Sequence, residues 1–142
     1  MENKIAIGID LGTNFSSISK FNNFKQLSEE IKISNNPTKI PSFIEFKKSS
    51  KGEEVVNIGS LVKRDFASRN INLYNLKKLI GITYEEFCEM EKNEQFKFKV
   101  EKNDNNSIKI QYSREKDKFY SLEEIYTKFL EKMIESSNDF IK

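Results

Sequence analysis

The segment IGIDLGTNFSS, residues 7–17, limits what this chain can fold into more than any other. Ahead of it the alternation is strict: Ile5, Ile7, Ile9 and Leu11 share one face of an extended strand, and Ala6, Gly8 and Asp10 share the other. The second face is small and then acidic, so the alternation predicts close packing against it. Gly12-Thr13-Asn14 breaks the pattern, and FSSISKF resumes it, which reads as two strands around a tight turn. Such a turn exposes backbone N–H groups, a usual way of holding phosphate, yet Asp10 puts a negative charge two residues ahead of it. A divalent cation removes the conflict, because magnesium takes carboxylate, water and phosphate oxygens together. On that reading Asp10 holds the metal through its water shell, and Thr13 with the turn amides faces the phosphates. The bland alternative is an ordinary hairpin with an acidic edge. A Walker-type loop is not an option, since its Gly-Lys-Ser/Thr end is absent.

Composition removes several other classes. The chain has 142 residues, enough for one domain or part of one, and its twelve Phe supply core material. Lys and Arg number 24 against 22 Asp and Glu, so there is no one-signed field for nucleic acid or an anionic membrane. The chain lacks His and has one cysteine, Cys88, which excludes the usual Cys/His zinc sites, Ser-His-Asp catalysis and an internal disulfide. Four glutamates (85, 86, 89 and 91) beside Cys88 argue against a reactive thiolate. No apolar run is long enough to span a membrane, and the first residues lead almost directly into a strand pattern. A cytoplasmic protein is the expectation.

Along the rest of the chain the pattern is mixed α and β. EIKIS and PSFIEF read as strands around the loop NNPTK, and KKSSKGEE reads as a polar loop tip. Leu61, Val62 and Phe66 stand near helical spacing, and Leu73, Leu76 and Ile80 suggest a second helical stripe stopped by Gly81. YEEFCEMEKN reads as a short acidic helix. QFKFKVEK and SIKIQYS alternate around the turn NDNN, giving a second hairpin to which KFYS adds a third strand. Ser121 and Glu124 form a capping box ahead of the apolar stripe Leu122, Ile125, Tyr126, Phe129, Met133 and Ile134, the clearest helix and a core-facing one.

Residues 7–17 resemble the first phosphate motif of the actin, sugar-kinase and heat-shock ATPases. Later segments separate these branches. IPSFIEF resembles the Pro-Ser-x-Val-x-Phe strand of the heat shock protein 70 (DnaK-type) chaperones, and IGSLVK their Gly-x-x-Ala-Lys. LKKLIG (residues 76–81) is similar to their Ala-Lys-Arg-Leu-Ile-Gly, and FYSLEEIYTKFLEKM to their Phe-x-Pro-Glu-Glu-Ile helix. The order and approximate spacing hold from residue 5 onward.

The resemblance implies a mixed α/β, actin-like (ribonuclease H-like) ATPase lobe, of which this chain is the N-terminal half. Residues 1–36 and 118–142 would form the base subdomain and 37–117 the upper one. Asp10 carries over as the magnesium-site carboxylate, Gly12, Thr13, Asn14 and Phe15 as the phosphate hairpin, and Lys77 as the catalytic lysine reaching the γ-phosphate. Read without the resemblance, Lys77 is a lysine beside an apolar stripe. The implied cofactors are ATP or ADP with Mg2+. The implied partners of a full-length parent are J-domain co-chaperones, nucleotide-exchange factors and unfolded peptides, with no role for nucleic acid or membrane.

Departures from the pattern mark a divergent member. Asn14 stands for a Thr, Phe15 for a common Tyr, and Lys78 for an Arg with which it is not interchangeable. The loop SNNPTKIPS is about two residues shorter than the family's, with Lys39 for its Arg, and the Asn-Pro turn before the lysine has no counterpart. None of the five glycines forms an Asp-x-Gly-Gly turn, the second phosphate loop of the family. The leading expectation is therefore a fragment of a peptide-binding ATPase that does not hydrolyse ATP alone. The alternatives are a naturally truncated module that binds chaperone partners, and a sugar-kinase or actin-like relative.

Overall fold

The computed structural model describes residues 5–33, 38–62, 71–94, 96–114 and 118–141. Its strands form three antiparallel sheets. The first is built on β2 (Phe15–Asn22), which pairs with β1 (Ile7–Leu11), β3 (Leu27–Glu30) and β4 (Ile40–Pro41). Register in the opening hairpin runs from Ile7 opposite Lys20 to Leu11 opposite Ser16. In the second sheet β5 (Ile44–Lys48) lies between β6 (Glu54–Ile58) and β7 (Asn72–Leu73). The third carries β8 (Val100–Lys102), β9 (Ile108–Gln111) and β10 (Phe119–Ser121) in sequence order. Helix α1 spans Tyr84–Glu91 and α2 spans Leu122–Ile141.

One apolar core joins the sheets, because α2 packs against β2, β6, β9 and β10. Its stripe delivers Leu122, Ile125, Phe129 and Met133 to that core at helical spacing. Ser121 caps it as the sequence predicts: the Glu124 amide donates to Ser121 Oγ at 3.2 Å, and Glu124 Oε2 accepts from the Ser121 amide at 2.8 Å. At the far end Lys20 Nζ donates to the Phe140 carbonyl at 2.7 Å and ties the helix to β2. Ile134, read as part of the stripe, is exposed. Helix α1 has the same device, with Thr83 and Glu86 as a reciprocal cap that the sequence reading overlooked although the Thr-x-x-Glu signal was present.

Several expectations need correction. Strand β3 is LSEE and not EIKIS, because the Asn22 side chain closes the preceding turn on the Phe24 and Lys25 amides and sets Leu27 opposite Asn22. Ile31 keeps one bond to the Ile18 carbonyl, and Ile31 and Ile33 are buried outside the strand. Strand β6 (Glu54–Ile58) takes in Glu54, expected in the loop tip, Ile58, expected to open a helical segment, and residues 55–57, for which the sequence pattern suggests no element. Of the helix expected around Leu61 and Val62, the described residues hold only a short 3-10 turn, Gly59–Leu61; Phe66 lies outside the described residues.

The stripe Leu73, Leu76 and Ile80 is not helical throughout. Leu73 pairs with Ile44 in β7, and Asn75 takes a left-handed conformation, φ 57°, that interrupts any helical run. A 3-10 turn, Leu76–Leu79, follows, and its period of three buries Leu76 and Leu79 together while Ile80 stays exposed. The close packing expected over Ala6, Gly8 and Asp10 is also not what the structure shows, since all three are exposed. Ile7 and Ile9, on the other face, remain 39% and 37% exposed, because β1 is an edge strand of which Leu11, at its far end, packs against the core.

Candidate functional site

The turn between β1 and β2 owes its shape to Gly12. A Cβ at that position would lie 2.1 Å from the Phe15 carbonyl oxygen, a backbone atom with little freedom to retreat, so only glycine fits. The segment entering β5 grips the same turn. The Ser42 amide donates to the Asn14 carbonyl at 2.8 Å, and Ser42 Oγ donates to the Gly12 carbonyl at 2.8 Å.

From the other side comes Lys77, on the 3-10 turn that follows left-handed Asn75. Its Nζ donates to the Leu11 carbonyl at 2.7 Å, across 66 residues of sequence. Gly12, Thr13 and Lys77 thereby meet at a narrow cleft whose apolar side is Leu76 and Phe129, with half-buried Tyr126 beside them. Burial pushes the Tyr126 hydroxyl up to about 12, so this side of the cleft is neutral over the ordinary pH range. The Lys77 ammonium brings a positive charge to this cleft, and the Leu11 and Gly12 carbonyls are directed to Lys77 and Ser42.

The remaining residues singled out from sequence are not in the lining of this cleft. Asp10 is exposed on β1 opposite Ser17, and its side chain makes no hydrogen bond or ion pair among the described residues. Asn14 is exposed with its carbonyl held by Ser42, and Phe15 is exposed where β2 pairs with Pro41. Lys78, beside the candidate lysine, binds Glu94 at 2.6 Å instead. Cys88 is partly buried and pairs with the Tyr84 hydroxyl, whose proton it holds above the usual tyrosine range.

Three contributors to the cleft are not evident from sequence. Ser42 was read only as part of a strand motif, and nothing local announces that its hydroxyl reaches a turn 30 residues earlier. Tyr126 and Phe129 were read as core stripe, and they also wall the cleft. Among the described residues no group of three or more His, Cys, Asp or Glu could hold a metal ion, and no helix is long and apolar enough to cross a membrane.

The Hsp70 protein family matches residues 6–142, nearly the whole chain, and the match includes the turn, Ser42, Lys77 and α2. A match of that extent shows that this chain belongs to the Hsp70 family.

Proposed function

We propose that this chain is a nucleotide-binding lobe of an Hsp70-type chaperone, with an actin-like α/β fold whose base is residues 1–36 and 118–142 and whose upper subdomain is 37–117. The observation that carries the reading is the meeting of Lys77 with the Gly12–Thr13 turn, through the 2.7 Å bond to the Leu11 carbonyl. The turn amides and the Thr13 hydroxyl receive the β- and γ-phosphates of ATP. Lys77 then exchanges its carbonyl partner for a phosphate oxygen, where a point charge stabilises the negative charge developing during phosphoryl transfer.

Asp10 fits a magnesium site of the water-mediated kind, as an exposed carboxylate with no competing partner among the described residues, near a turn too tight for any side chain at Gly12. The metal, when bound, supplies the positive charge that reconciles Asp10 with the phosphates. Positioning from all sides supplies most of the rate in this chemistry. The sequence has no Asp-x-Gly-Gly turn to form the opposite wall, so the chain alone binds nucleotide weakly and does not turn it over. In a full-length parent, turnover would drive peptide binding and release under J-domain co-chaperones and exchange factors.

Backbone amide NMR with magnesium-ATP added to millimolar concentration tests this reading, alongside phosphate release. Shifts centred on residues 12–15, abolished in Thr13→Ala, and no phosphate release are the expected results. Shifts centred elsewhere, or none, would overturn the assignment of the site. Steady ATP turnover by this chain would overturn the half-cleft account.

A further inference from the structure

We infer that Ser42 is a positioning residue that sets the direction of the phosphate-facing amides, an inference that rests on the nucleotide reading above. Ser42 Oγ contacts two oxygens, the Gly12 carbonyl at 2.8 Å and Ser16 Oγ at 2.9 Å. A hydroxyl has one hydrogen, and a carbonyl can only accept. The hydrogen of Ser42 therefore lies on Gly12, and Ser16 must donate to Ser42. The result is a directional chain, Ser16 to Ser42 to the Gly12 carbonyl, whose first member is 1% exposed.

Peptide planarity gives this chain its consequence. In a trans peptide the C=O and the following N–H point in opposite directions. Holding the Gly12 carbonyl toward Ser42 turns the Thr13 N–H the other way. Holding the Asn14 carbonyl with the Ser42 amide does the same for the Phe15 N–H. Lys77, through the Leu11 carbonyl, orients the Gly12 N–H in turn. Without these anchors the plane between Gly12 and Thr13 is the one most free to rotate, since glycine tolerates both orientations. A rotated plane would present a carbonyl to an incoming phosphate where an amide is needed. Ser42 thus governs two of the three peptide planes, one by its side chain and one by its backbone.

That division makes the inference testable with one substitution and an internal control. Ser42→Ala removes the side-chain bond and leaves the backbone bond in place. In the nucleotide-free chain, 15N relaxation dispersion is expected to show new exchange at Thr13 and none at Phe15. Magnesium-ATP affinity is expected to fall about fivefold, the usual worth of one hydrogen bond. Ser42→Thr, which keeps the hydroxyl, restores both values. If Ser42→Ala does not fold, Ser42→Cys supplies the same comparison with a weak donor of similar volume. An unaltered Thr13 signal, exchange spread evenly over the chain, or a threonine variant as impaired as alanine would overturn the inference. Absence of nucleotide binding by the unsubstituted chain would count against the proposed function alone, because relaxation of the free chain still decides the role of Ser42.

Discussion

Replacing Gly12 with alanine places a methyl carbon 2.1 Å from the Phe15 carbonyl oxygen and 3.3 Å from its carbonyl carbon. An ordinary van der Waals contact begins at 3.4 Å, so the turn must open by more than 1 Å. It cannot do so freely, because Phe15 is paired with Pro41 and the neighbouring Gly12 and Asn14 carbonyls are held by Ser42. Overpacking of this kind costs about 1–3 kcal/mol, and each hydrogen bond stretched beyond use adds about 1 kcal/mol. The sum is about 2–4 kcal/mol. With a urea dependence of about 2 kcal/mol per molar, the unfolding midpoint should fall by about 1–2 M. Gly8→Ala is the matched control. Its Cβ would meet only Ser19 Oγ, at 3.2 Å, and a serine hydroxyl can rotate aside. Its midpoint should therefore stay close to that of the unsubstituted chain. Equal midpoints for the two variants would refute the reasoning, since they would mean that the turn accommodates a side chain and that Gly12 is not required by close approach.

Other outcomes follow from the same structure. Met133→Ala, at a fully buried site on α2, should lower stability by about 2–5 kcal/mol in urea unfolding, because the cavity lies where the helix meets the core. Ser121→Ala removes the cap of that helix and should cost about 1 kcal/mol by the same assay, with Ser121→Asp recovering most of it. Lys77→Met should leave the circular dichroism spectrum unchanged and the unfolding free energy in urea within about 0.5 kcal/mol of the parent, since the side chain is exposed, while abolishing the nucleotide-dependent shifts at the turn. Tyr126 ionises more readily unfolded, near 10, than folded, where it titrates at about 12. The folded state thus binds the extra proton between those values, and stability should fall as pH rises from 10 to 12. Tyr126→Phe should flatten that part of the stability profile.

What could be read from sequence was whatever depends on neighbours a few residues apart. The strand, turn and strand over residues 7–22 follow from period-two alternation broken at Gly12-Thr13-Asn14. The α2 cap follows from Ser121 and Glu124 standing three apart, and the β8–β9 hairpin from NDNN between alternating runs. The family resemblance rests on short motifs of the same local kind, and it covers the same span as the family match.

Tertiary structure decided the rest, because the deciding partner was far away in the chain. Leu73 became a strand residue since Ile44, 29 positions earlier, offered it a sheet edge, and the helical spacing of Leu73, Leu76 and Ile80 could not reveal that. Ile7 and Ile9 look like core residues in any local window, yet they are exposed because they stand on an edge strand of which Leu11, at its far end, packs against the core. Lys77 and Ser42 acquire their roles only when the fold carries them 66 and 30 residues back to the turn. Local periodicity determines which face of an element is apolar; which surface that face meets, and which polar group ends beside which turn, depends on long-range packing that no short window of sequence contains.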